Sequence, residues 1–158
     1  MCMRLMETLD HHDKLIEVYK VVLRLTNGKF VAMKNHIDAR LPEYIYKLGS
    51  NTPLKDTIGL HSYQSKEVAI AFAKMMHYYC GMQDMKDVES ACVLYCTIPK
   101  DSNTKIGCHW SKTQIGYISD KLTVDTTPCK EYVVDHGAKD NQDKWSDMLK
   151  ELCFCSEE

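Results

Sequence analysis

One stretch, residues 57–74, constrains the fold of this chain more than any other. Its sequence, TIGLHSYQSKEVAIAFAK, runs from a β-like lead that ends at Gly59, through a short polar segment, to a helix that begins at Ser65. A strand–turn–helix junction of this kind places polar side chains beside the unpaired backbone N–H groups of a helix start. Such a surface suits an anionic ligand. We expect four residues to contribute contacts: His61, Ser62, Tyr63 and Ser65.

The composition bounds the class of protein. The 158 residues suffice for one domain with a hydrophobic core. A net charge of −2 offers no basic field for nucleic acid. No apolar run approaches the ~20 residues of a membrane span, and the charged N-terminus lacks the apolar core of a signal peptide. We therefore predict a cytoplasmic protein, inside whichever cell makes it, with neither a membrane nor a nucleic-acid partner.

The cysteine pattern points to a reducing compartment. The chain has eight cysteines, but without a secretory context an even number does not indicate disulfides. None has the C-x-x-C spacing that is typical of a zinc site. Cys108, beside His109, is the thiol that we expect to be most reactive. We predict free thiols, no bound metal and no cofactor.

Hydrophobic patterning divides the chain into a leader and one domain. Residues 1–14 predict a disordered or loosely helical leader, and residues 15–155 a single domain. Two β-rich runs flank Asn27-Gly28, which is a strong hairpin signal. The near-continuous apolar run at residues 91–98 predicts a central strand with both faces covered.

The helices complete an α+β architecture. An apolar stripe over about residues 66–79 predicts the main helix, packed on one face of the sheet. A second helix is expected over about residues 141–152. Because the strands come as hairpins and short runs with the helices set apart, we predict an α+β fold with a mixed or antiparallel sheet of about five strands.

Three further residues extend the predicted site. Lys20 and Arg24 share one face of the first β-rich run because strand side chains alternate, and a cationic pair on a sheet face can meet an anion. Trp110 lies in a donor-rich loop between two strand regions, where binding residues often occur. Structural explanations stay open beside these: solvated surface charges, a helix cap at Ser65, and a Trp that packs on the core.

Common catalytic motifs are absent from the sequence. It contains no G-x-G-x-x-G, no P-loop, no H-E-x-x-H and no G-x-S-x-G. We therefore predict no catalytic residue and favour a non-enzymatic role.

Two motifs carry a resemblance to a known kind of domain. Residues 59–63, GLHSY, precede a helix with Glu67 and Ala69, and the later run Ser119-Asp-Lys-Leu122 has the form S-[DN]-K-[IL]. Over about residues 17–125 the chain resembles a small domain of phage and large-DNA-virus proteins that reads G-[IL]-H-x-[FY] before a helix. The resemblance implies a viral or phage origin and an α+β fold, without an activity.

The segment from Ser62 to Ala73 is also similar to the ADP-ribosyltransferase fold, in which a Ser-rich strand precedes a helix with A-x-x-F-A. That fold presents nicotinamide-nucleotide-binding geometry. The chain lacks the E-x-E or Q-x-E pair of that family, and the context of Glu131, CKEYVV, does not match. The similarity therefore implies geometry and not transferase activity.

Three functional hypotheses follow. The first is a viral or phage accessory protein that binds a small anionic, nucleotide-like ligand and so sequesters a host immune signal. The second is a nucleotide-processing enzyme that uses His61 as acid or base. The third is a pure interaction module whose final helix docks a host protein or a second copy of the chain. A pocket at His61 would favour the first two, and a flat apolar patch the third.

Overall fold

A computed structural model describes residues 3–9, 13–55, 57, 59–109 and 115–154 of the chain. Over these residues the chain forms one sheet of eleven strands and three helices, and its strand pairs are antiparallel. This confirms the α+β class. The expected count of about five strands was too low, because most of the additional strands have four residues or fewer and show no readable alternation.

The strands are β1 (Met3–Leu9), β2 (Ile16–Leu25), β3 (Phe30–Ala32), β4 (Ile45–Tyr46), β5 (Gly49–Asn51), β6 (Leu60–Tyr63), β7 (Val88–Ile98), β8 (Thr104–His109), β9 (Ile115–Ser119), β10 (Leu122–Val124) and β11 (Lys130–Val133). The helices are α1 (Met33–Ile37), α2 (Lys66–Met82) and α3 (Asn141–Phe154). None of these three helices combines the length and the apolar content that a membrane crossing requires.

Strands β2 and β7 form the centre of the sheet. They pair along almost their whole length, from Ile16 opposite Ile98 to Leu25 opposite Val88. Strands β6, β9, β8 and β1 follow on the β2 side, and β10 and β5 on the β7 side. Strand β11 shares the outer edge of β7 with β10, while β3 pairs with β2 beyond β6 and carries β4. The chain turns at Asn27-Gly28 between β2 and β3.

Each face of the central strands covers a separate core. On one face, Phe72 of α2 packs with Val21 and Val93. On the other face, Leu94 lies among residues of β2, β4 and β10, including Tyr46. The buried residues of the second core all lie on strands of the sheet and none lies on a helix. Two covered faces explain why the β7 sequence is apolar at nearly every position.

Residues 3–9 differ from the expected leader. They form β1, which pairs with β8 from Met3 opposite His109 to Leu9 opposite Thr104. The hydrogen-bonding partner of this strand lies far along the chain. Local propensity therefore carries little information about it, and tertiary pairing decides its conformation.

The five cysteines with described side chains are free thiols: Cys80, Cys92, Cys96, Cys108 and Cys129. Burial raises the pKa of the Cys92 thiol to about 11 and the pKa values of Cys80 and Cys96 to about 12. Cys108, the thiol expected to be most reactive, is buried. Cys129 is exposed.

We expect Cys129 to react with iodoacetamide in the native protein much faster than Cys80, Cys92 or Cys96. The thiolate is the reacting form, and a buried thiol with a raised pKa offers neither thiolate nor access. Peptide mass spectrometry after timed labelling measures the difference, and labelling in denaturant provides the control in which all four should react. Equal native rates for Cys92 and Cys129 would contradict the burial of β7.

Candidate functional site

Side chains of the protein itself cap the N-terminus of α2. The Ser65 Oγ accepts a hydrogen bond from the Val68 N–H at 3.3 Å and donates to the Glu67 carboxylate at 3.1 Å. Glu67 therefore supplies a negative charge where an anionic ligand would meet the helix dipole. Ser65 acts as the N-cap of α2 in this arrangement.

The predicted contact residues on strand β6 have their side chains on opposite faces of the sheet. Tyr63 is 6% exposed and belongs to the core beneath α2, where its ring stacks on Phe72 with centroids 5.0 Å apart. Side chains alternate along a strand, so His61 shares this face. Leu60 packs in the second core, and Ser62 lies on the same face as Leu60. The three predicted contact residues on β6 are thus divided between the two faces of the sheet, and the fourth, Ser65, caps α2.

Lys20 lies on the face of the second core. Its Nζ sits 5.2 Å from the centroid of the Tyr46 ring and donates a hydrogen bond to the His61 carbonyl oxygen at 2.6 Å. The side chain is half-buried, and burial lowers its pKa from 10.5 to about 8. No carboxylate of the described residues forms an ion pair with it. An ammonium group that is partly buried and has no carboxylate partner can bind an anionic group.

Arg24 lies on the same face, but its charge is already paired. Its Nη1 donates to both carboxylate oxygens of Glu131, at 2.8 and 3.0 Å, and its guanidinium lies 5.0 Å from the Phe30 ring centroid. Glu131 also accepts a hydrogen bond from Ser90 at 2.7 Å. This network ties β11 to the central strands. Arg24 therefore has a structural role, in contrast to Lys20.

Tyr46, which Lys20 contacts, in turn contacts Tyr44, which lines a surface groove. The rings of Tyr44 and Tyr46 lie 4.8 Å apart between centroids, and Tyr44 lines an open groove of about 260 Å³. Lys47, Asn51 and Thr52 also line it, and the Tyr44 hydroxyl donates to the Thr52 carbonyl. Sequence reasoning missed both tyrosines. The signal that could have found them is their spacing of two residues, which places both rings on one side of an extended segment.

The structure brings Lys20 and Ser62 to one face of the sheet, where the Lys20 ammonium lies beside Tyr46. It places Tyr63 in the opposite core and Ser65 at the helix start, and only the backbone carbonyl of His61 meets Lys20. Trp110 lies outside the described residues. No family model, curated protein or solved structure matches the chain.

Proposed function

We propose that the protein binds a small anionic, nucleotide-like ligand and performs no chemistry on it. The half-buried ammonium of Lys20, without a carboxylate partner in the described part of the chain, carries this proposal. Holding a cation away from water without a counter-charge costs free energy. An anionic ligand offsets that cost, whereas the paired Arg24 gains nothing from one.

The surroundings of Lys20 favour an anion that carries a ring. A phosphate at the ammonium leaves the rest of the ligand on the side of the aromatic pair, of which Tyr46 is buried and Tyr44 is the partly exposed ring that lines the groove. Aromatic side chains bind nucleobases by stacking whatever the base. The groove beyond Tyr44 adds the cation of Lys47 and the polar side chain of Thr52. Its lining also includes Glu43, whose carboxylate lies 2.8 Å from the His36 imidazole. These features together fit a mononucleotide better than a bare inorganic anion.

The geometry supports binding over catalysis. His61, the acid or base of an enzymatic alternative, has its side chain on the face opposite Lys20. A ligand held by Lys20 would therefore be separated from the imidazole by the sheet. With the viral or phage origin that the sequence resemblance implies, we propose an accessory protein that sequesters a nucleotide signal of the host.

A thermal-shift screen of mono-, di- and cyclic nucleotides tests this function. We expect at least one to stabilise the wild-type protein, since a ligand at 100 times its Kd adds ~2.7 kcal/mol. Lys20→Met keeps most of the side-chain volume but removes the charge, and should abolish the shift. Lys121→Met changes an exposed lysine and should keep it.

Two results would count against the proposed function. If none of the nucleotides stabilises the wild-type protein, ligand binding of this class is excluded. If a nucleotide stabilises the wild type and Lys20→Met equally, the ligand binds elsewhere and Lys20 is not its contact.

A further inference from the structure

Two buried hydroxyl groups lack hydrogen-bond partners in the described part of the protein. Ser62 is 0% exposed and Ser119 is 1% exposed, and the Oγ atom of each makes no hydrogen bond. A buried polar group left unsatisfied costs about 1–3 kcal/mol. Such groups are rare in native proteins, and each calls for an explanation. Alanine at either position would avoid this cost.

Ser62 lies next to Lys20. Strand β2 pairs with β6 at Tyr19 and Tyr63, and Lys20 and Ser62 are the next residues along these two antiparallel strands, with side chains on the opposite face from Tyr19 and Tyr63. The hydrogen bond from Lys20 Nζ to the carbonyl of the preceding residue, His61, agrees with this placement. The Ser62 hydroxyl and the Lys20 ammonium, which has no carboxylate partner among the described residues, therefore lie on one face of neighbouring strands.

Ser119 lies on the same face but farther from Lys20. Ser62 pairs with Tyr117 on β9, and Ser119 follows two residues later, opposite Leu60. Ser119 is therefore one strand farther from Lys20 than Ser62 is, and it is displaced by two residues along that strand. The chain thus offers two buried, unsatisfied hydroxyls that differ chiefly in their distance from the ammonium.

We propose that the Ser62 Oγ donates a second hydrogen bond to the anion that Lys20 binds, and that this anion is a phosphate group. This inference rests on the proposed function and deepens it. A phosphate presents several acceptor oxygens on one tetrahedral centre, so one oxygen meets the ammonium while another accepts from the hydroxyl. The ligand also explains why a serine stands at a position where the free protein leaves it unsatisfied.

Isothermal titration calorimetry with inorganic phosphate and with adenosine monophosphate tests whether Ser62 contacts the bound anion. Ser62→Ala should weaken binding of both probes about tenfold, the effect of one hydrogen bond of ~1.4 kcal/mol. It should leave the thermal midpoint of the free protein unchanged or raised. Ser119→Ala is the matched control and should bind both probes within about twofold of wild type. Acetate, a carboxylate, should bind more weakly than phosphate to the wild-type protein.

The outcomes separate this inference from the proposed function. Binding by Ser62→Ala that equals wild type, while Lys20→Met has lost it, overturns the role of Ser62 and leaves the function intact. An equal loss in Ser119→Ala also overturns it, because the effect would then be a general one of the core. Tighter binding of acetate than of phosphate overturns the ligand class. Failure of the wild type to bind either phosphate probe overturns the assignment of the anion as a phosphate, whereas the nucleotide screen decides the proposed function.

Discussion

Replacing Phe72 with alanine should lower the free energy of unfolding by about 3–5 kcal/mol, as truncations of buried phenylalanines do. Phe72 is 0% exposed and lies at the centre of the core between α2 and the sheet. Its ring stacks on Tyr63 at an interplanar angle of 14°. The truncation removes this contact and leaves a cavity that the flanking strands, fixed by their pairing, cannot fill. Urea unfolding followed by circular dichroism measures the loss.

Val133→Ala serves as the control for this experiment. The Val133 side chain is 69% exposed at the edge strand β11, so its truncation should change stability by about 0.5 kcal/mol or less. A loss below 1 kcal/mol for Phe72→Ala would show that the apolar stripe of α2 is not part of the core.

The Lys20→Met variant should be more stable than wild type at pH 7, and this advantage should shrink by about 2 kcal/mol as the pH rises to 10.5. Burial lowers the Lys20 pKa from 10.5 to about 8, so between these values the unfolded chain binds more protons than the folded one. The unfolding free energy of the wild type therefore rises with pH in that window. The penalty is fully present below pH 8. Because the Lys20 side chain as a whole is only half-buried, we expect a penalty smaller than the full pKa shift implies.

Urea unfolding of both proteins at pH 7, 8, 9 and 10 measures this difference. The comparison cancels the titration of the tyrosines and other lysines, which both proteins share. Lys121→Met, at an exposed position, should show no such pH dependence relative to wild type. A difference between wild type and Lys20→Met that stays constant from pH 7 to 10 would mean that the ammonium is not held away from water.

Local patterns predicted the elements that depend on local contacts. The Ser65 cap and the apolar spacing around Phe72 place α2 correctly, and Asn27-Gly28 marks the turn between β2 and β3. The length of α2 was underestimated, since it continues to Met82. Strand β1 was not predicted because its partner, β8, lies some hundred residues away. The conformation of such a segment depends on the free energy of pairing with a distant strand, and a short stretch of sequence carries no information about that pairing.

In the candidate site, too, local patterns predicted some features, while others depend on pairing between distant strands. Alternation along β2 predicted that Lys20 and Arg24 share a face, and their contacts with Tyr46 and Phe30 place both on the side of the second core. The contact of Arg24 with Glu131 follows from the pairing of β11 with β7, whereas no carboxylate of the described residues forms an ion pair with Lys20. Residues 61–63 read as a polar turn in the sequence but form a strand, and strand alternation then separates Ser62 from its neighbours.

The long pairing of β2 with β7 has a consequence for synthesis of the chain. Strand β2 leaves the ribosome well before β7, and its central partner is complete only when Ile98 has been made. Until then Val18 and Val21 lack their partners on β7 and both cores are incomplete, although Val22 can already pair with Ala32 of β3. Pairings between distant segments are slow to form and expose strand edges while they wait. The nascent protein thus passes through an interval in which its future centre is its most aggregation-prone part.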